Sequence, residues 1–167
     1  MDRKKLFAIA IVVFAVFCCL SVASAGLFDF LGGPAAPANK TVTFDKVFSL
    51  QLPEDAVIKN NTTINDGTIL EITHDITSNA TNTTYRVTTT NGTLVSGAQE
   101  YAEKIVASSG KALGNHSGWI ELDTSSVPDP ITPMKYILTK SDGGNLITIE
   151  GNNLTQVEHL ADTYKKV

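Results

Sequence analysis

Both cysteines of this 167-residue chain, Cys18 and Cys19, lie inside one apolar run close to the N-terminus. Whatever folds downstream has no disulfide, no thiolate nucleophile and no Cys-ligated metal, so a hydrophobic core must hold it. The run itself, Leu6 to Val22, is uncharged, follows the basic Arg3-Lys4-Lys5 and precedes Ala23-Ser24-Ala25. That is the order of an export signal and its cleavage site. Residues 1–25 therefore read as a signal peptide or an N-terminal membrane anchor. The length suits either role. The A-S-A site favours cleavage, whereas Leu27, Phe28, Phe30 and Leu31 just beyond it favour retention at the membrane interface. In both cases the basic end stays inside and the rest is sent out, which predicts an extracellular or cell-surface location, with membrane contact through residues 6–25 if the segment is uncleaved.

Residues 26–40, with Gly32-Gly33-Pro34 and Ala35-Ala36-Pro37, read as a flexible linker. Residues 41–167 have the length of one ordinary domain with a substantial core. Removing Arg3, Lys4 and Lys5 from the 13 basic residues and Asp2 from the 17 acidic ones leaves 10 against 16, a net charge of −6. A surface of that sign does not suit nucleic acid, which needs clustered Lys and Arg.

The sequon N-x-[ST] occurs at Asn39, Asn60, Asn61, Asn79, Asn82, Asn91, Asn115 and Asn153. Sequons mark accessible loops of exported proteins where a glycosylating enzyme is present, and an Asn/Thr-rich chain also generates them by chance. Asn60 and Asn61 overlap, so one glycan at most is expected there. Asn79, Asn82, Asn91, Asn60, Asn115 and Asn39 are the glycosylation candidates. Asn153 stands apart: it precedes an apolar helical stripe and has Gln156 three residues on, so it reads as a helix cap that stays largely bare.

Alternation dominates the first half of the domain. Phe48, Leu50 and Leu52 alternate with polar residues up to Pro53, Leu70 and Ile72 do the same, and so do Tyr85 and Val87, which predicts a three-stranded meander. Asn65-Asp66-Gly67 reads as a hairpin turn and Thr77 to Thr83 as a polar loop. Ala98, Tyr101, Ala102, Ile105 and Val106 fall on one helical face, with Ser96 and Gln99 as a capping box and Gly110 as the left-handed stop. Strands follow at 118–122, 134–139 and 146–149, the last two joined by Asp142-Gly143-Gly144 in a tight hairpin. Leu154, Val157, Leu160, Ala161 and Tyr164 form the stripe of a second helix, with Lys165 and Lys166 at its C-terminal end. The expectation is an α+β fold, antiparallel sheet with two amphipathic helices packed on it, in the order βββ-α-βββ-α.

That order, with "FSLQLPEDAVI" at its start and "NLTQVEHLADTYKKV" at its end, resembles the Mog1/PsbP-like fold over roughly residues 44–167. The resemblance implies a binding or accessory module without catalysis and carries no functional motif onto particular residues. The Asn/Thr-rich style is also similar to short surface proteins of methanogenic archaea.

The histidines, His74, His116 and His159, have no H-x-x-x-H or H-E-x-x-H spacing. Packing or surface roles are expected of them, and no metal ligand, catalytic residue or cofactor-binding residue is assigned. Asp66 lacks the partners of a calcium loop, and the acid pairs Glu54-Asp55 and Glu121-x-Asp123 lack an opposing carboxylate. No nucleophile elbow, phosphate loop or dinucleotide fingerprint occurs. Trp119 reads as core, with ligand stacking as the alternative; Trp119 and His116 are the candidate ligand contacts. The sequence thus points to an exported, glycosylation-competent accessory or binding module with a protein or envelope partner. A small extracellular hydrolase using carboxylates and His116, or a purely structural envelope protein, are the rivals. A histidine brought within hydrogen-bond reach of an acid in a concave site is what separates the hydrolase from the others.

Overall fold

The structure, a computed structural model, describes residues 38–92, 97–128 and 134–167. The export segment, residues 26–37 of the linker and the Ser96 half of the capping box lie outside the described residues. Asn39–Val167 form one compact unit. Its elements run β1 (Asn39–Phe44), β2 (Phe48–Pro53), β3 (Val57–Asn65), β4 (Ile69–Ser78), β5 (Thr83–Gly92), α1 (Ala98–Ala107), β6 (Lys111–His116), β7 (Trp119–Asp123), β8 (Tyr136–Asp142), β9 (Asn145–Gly151), α2 (Leu154–Asp162) and β10 (Lys165–Lys166). An α+β fold of antiparallel strands and two helices is what the patterning predicts. The order βββ-α-βββ-α is corrected, because β1, β3, β6 and β10 carry too little alternating apolar sequence to be read.

The expected meander is also corrected. β2 leaves β4 and β5 and joins a three-stranded sheet, β1-β2-β10, while the other strands form a seven-stranded sheet in the order β3-β4-β5-β9-β8-β7-β6. Residue alternation places the rest. Leu138 packs in one apolar cluster with Ile76, Val87, Ile147 and Ile149, and its neighbour Ile137 packs in another with Leu122, Ala102 and Ile105. Successive side chains of a strand point to opposite faces, so the two clusters lie on opposite faces of the large sheet. One face carries the small sheet, through Phe44, Phe48, Leu50 and Leu52, together with Val157, Leu160 and Ala161 of α2. The other carries α1. The large sheet is the middle of three layers, and central β9 is buried from Leu146 to Gly151.

The turns follow from residue chemistry. Gly143 and Gly144 have φ of 57° and 83° and close β8 onto β9 with Asp142 opposite Asn145, the two-residue connection expected. Asp66 Oδ1 accepts from the backbone N–H groups of Thr68 and Ile69 at 2.9 and 2.8 Å, fixing the β3–β4 hairpin. In α1 the apolar face holds at Ala98, Ala102 and Ile105, but Val106 is 45% exposed and is corrected to the solvent side. The left-handed residue after α1 is Ser109, with φ 74°, rather than Gly110. Gly110 serves by close approach instead: a Cβ there would stand 2.6 Å from Ile105 Cγ2. Gly97 makes no side-chain cap of α1, and Ser141 Oγ of β8 accepts from the Ala98 N–H at 2.7 Å in its place.

Asn153 caps α2 as expected, its Oδ1 accepting from the Gln156 N–H at 3.2 Å. Replacing it with alanine orphans that donor, so Asn153→Ala is expected to cost about 1 kcal/mol. A thermal melt reads this as a drop of roughly 4 °C for a domain of this size. Tyr164 lies beyond α2, and Lys165 and Lys166 are corrected from a helix end to a strand, paired with Ser49 and Phe48 of β2. Linker and domain also meet earlier than expected, since β1 begins at Asn39.

Candidate functional site

The strongest concentration of chemistry lies where the β6–β7 hairpin meets α2. Ser117 and Gly118 have φ of 50° and 83°, the left-handed pair that closes a two-residue hairpin, so His116 stands opposite Trp119. A bulge between Ala112 and Gly114 sets Gly114 opposite Glu121. His116 and Glu121 therefore share the sheet face on which α2 packs, and the glycine between them adds no side chain over the carboxylate. On α2, Glu158 and Asp162 are four residues apart, one above the other on one helical face.

The side chains meet. His116 Nε2 lies 2.9 Å from Asp162 Oδ1, and Ser117 Oγ donates to the same oxygen at 3.1 Å. His116 Nδ1 is 4.0 Å from Glu121 Oε1. One ligating atom from each of His116, Glu121 and Glu158 lies within 4.8 Å of the others. Glu121 is 8% exposed, and its Oε1 is buried without a hydrogen-bond partner among the described residues. An ionised Asp162 can only accept, so His116 Nε2 carries the hydrogen of that contact. These hydrogen bonds, His116 first and then Ser117, hold the Asp162 carboxyl below its usual value. Burial, and then the adjoining Glu158 carboxyl, push the Glu121 carboxyl up against a smaller pull from His116.

A buried acid whose folded pKa is raised withdraws stability as pH climbs from the unfolded value through the folded one. Glu121→Gln removes the charge and keeps the shape. In metal-free buffer the variant is expected to melt a few degrees above the parent at pH 8 and level with it at pH 4. A variant that melts lower at pH 8 would mean that the carboxylate is well compensated.

The other candidates are placed differently. The fold does not gather the three histidines. His74 is buried in the middle of β4, with Nε2 3.0 Å from Asp45 Oδ1 and its ring edge-on to Phe44, so it ties the β1–β2 turn to the large sheet. His159 is exposed on α2. Trp119 is 1% exposed and packs edge-on to Tyr164 at 5.5 Å, which is a core position. Of the acid pairs, Asp55 accepts from Ser78 Oγ and the Ala80 N–H, so it secures the β4–β5 turn. Glu121 finds its opposing carboxylate in Glu158, 37 positions away in sequence order.

Among the sequon asparagines, Asn39, Asn79, Asn82, Asn91, Asn115 and Asn153 are all exposed. Asn79 and Asn82 bound the β4–β5 turn, Asn39 opens β1, Asn115 lies in β6, and Asn60 and Asn61 lie in β3. The Asn91 amide donates to Asn145 Oδ1 at 3.1 Å. Among the described residues no helix is long and apolar enough to cross a membrane.

Comparison with protein-family models, with curated proteins and with solved structures gives no match, so no relative lends a role to any of these residues.

Proposed function

We propose that this chain is an exported, cell-surface accessory module without catalytic activity, which binds a partner polypeptide by adding an extended strand at β3. The carrying observation is where the apolar surface sits. Val57, Ile58, Ile64 and Leu70 are 53, 42, 52 and 38% exposed, four of the seven exposed large hydrophobic residues among the described residues, and all lie on the β3–β4 hairpin. Among the described residues β3 is the terminal strand of its sheet, with β4 on one side. Its nine residues offer an outward row of backbone donors and acceptors. Ile64 and Leu70 belong to opposite faces, as their partners Glu71 and Asn65 show. Apolar groups on both faces suit a strand laid alongside, which meets both, better than a surface pressed onto one.

The hydrolase reading draws on the His116–Asp162 contact. The hydroxyl beside that pair, Ser117 Oγ, donates to the carboxylate and not to the imidazole, which is not the arrangement of an activated nucleophile. The purely structural reading draws on the sequons at Asn60 and Asn61, since a glycan on β3 would cover the edge that the partner needs.

A photo-crosslinking side chain placed at Lys59 in the full chain, in native membranes, tests the proposal. The expected result is one adduct at position 59 and none from the same group at Lys111 on the opposite edge strand. Adducts at both positions, or at neither, refute strand addition at β3.

A further inference from the structure

We infer that His116, Glu121 and Glu158 form a binding site for a divalent transition metal of the zinc class, with Asp162 orienting the imidazole. The donor set is one aromatic nitrogen and two carboxylates, from two neighbouring strands and a helix whose side chains reach them. Zinc takes nitrogen and oxygen ligands at about 2.0–2.2 Å, which in a tetrahedral site puts ligand atoms about 3.3–3.6 Å apart. The His116 Nδ1 to Glu121 Oε1 distance is 4.0 Å, and the whole set lies within 4.8 Å, so small side-chain rotations converge it on one point.

Three features go beyond mere proximity. Glu121 Oε1 is buried and lacks a hydrogen-bond partner among the described residues, and it lies 4.0 Å from His116 Nδ1, too far for a hydrogen bond, so a cation between the two supplies the partner that the carboxylate oxygen lacks. Asp162 accepts from Nε2 at 2.9 Å, the outer-shell carboxylate that fixes tautomer and ring orientation in metal-bound histidines. The His116 side chain is 29% exposed, so an ion can enter from solvent. Three protein ligands leave a fourth position for water or a partner's donor. Calcium and magnesium require more oxygen ligands than this cluster supplies, and an imidazole selects against both.

Titration of the metal-free full chain with zinc chloride, read by calorimetry, tests the assignment. One zinc per chain is expected, with an upward shift in melting temperature on the order of 5 °C at saturating zinc. Glu121→Gln and Glu158→Gln should each weaken binding at least tenfold, and Asp162→Asn by about 10–100-fold as an orienting residue. His159→Asn, on the same helix but outside the cluster, should bind as the parent does, and calcium or magnesium should not compete. Melting curves of the metal-free variants separate lost binding from lost folding, and the glutamine variants are expected to fold. Absence of saturable binding to the parent chain, binding that survives both glutamine substitutions, or an equal loss in His159→Asn each overturns the site.

Discussion

Ile105→Asp is expected to abolish the folded domain, while Val106→Asp, the same chemical change one position along, leaves it nearly untouched. Ile105 is 2% exposed and packs with Ala102 against Leu122 and Ile137, where α1 covers the large sheet. A carboxylate there loses the isoleucine's burial and gains an unpaired buried charge, at a cost of about 4 kcal/mol or more against total stabilities of about 5–15. Val106 is 45% exposed, so aspartate there should cost less than about 0.5 kcal/mol. Soluble yield and urea midpoints of the two variants are the measurement. Equal losses would mean that the phase of α1 is wrong.

The second large effect concerns Trp119. Its ring is 1% exposed, packs edge-on to Tyr164 at 5.5 Å, and has the Lys140 ammonium 5.6 Å from its centroid. Tyr164 stacks in turn on Phe48 at 5.5 Å, and its hydroxyl donates to Asp142, to which Lys166 Nζ also donates at 2.6 Å. Trp119 thus sits where the small sheet, the large sheet and the segment after α2 meet. Trp119→Ala empties that junction and is expected to cost about 3–5 kcal/mol. Trp119→Phe keeps most of the volume and should recover more than half of the loss, as judged by urea unfolding. A ligand-stacking tryptophan would show the reverse pattern, a small stability change with lost binding.

What the sequence disclosed, and what it withheld, divides along a physical line. Signals carried by neighbours along the chain were legible: the Asn153 cap, the Asn65-Asp66-Gly67 and Asp142-Gly143-Gly144 turns, the α1 face up to Ile105, and the burial of Phe48, Leu50 and Leu52. β3 was missed because its described side chains are exposed on both faces, so burial imposes no alternation, and VIKNNTTIN shows none. The departure of β2 to a second sheet was illegible because one of its partners is remote in the chain: Phe44 pairs with Phe48 across a local turn, but Lys166 reaches Phe48 from the far end of the domain. β10 looked like a helix end because Tyr164 continues the spacing of the stripe, although α2 stops at Asp162.

The cluster at His116 shows the same limit. Searching for histidine spacing fails when one imidazole is joined to carboxylates from a different segment. Two local clues were present: Ser117-Gly118, which turns His116 back toward Glu121, and the four-residue spacing of Glu158 and Asp162. Neither says that α2 packs on β8 and β9 with Glu158 and Asp162 reaching the β6–β7 hairpin, because that follows from burying Val157, Leu160 and Ala161 beneath it.

Amide hydrogen exchange on the full chain tests most directly whether β3 is the edge that receives a partner's strand. In the free protein, the amides of residues 57–65 that point away from β4 should exchange fast and those of central β9 slowest of all, because β9 is paired on both sides and buried. Adding the polypeptide crosslinked at Lys59 should slow exchange across 57–65 by at least tenfold and leave Lys111–His116 unchanged. Unaltered exchange at 57–65 in the bound state, with protection arising on α2 or β6 instead, would contradict the account.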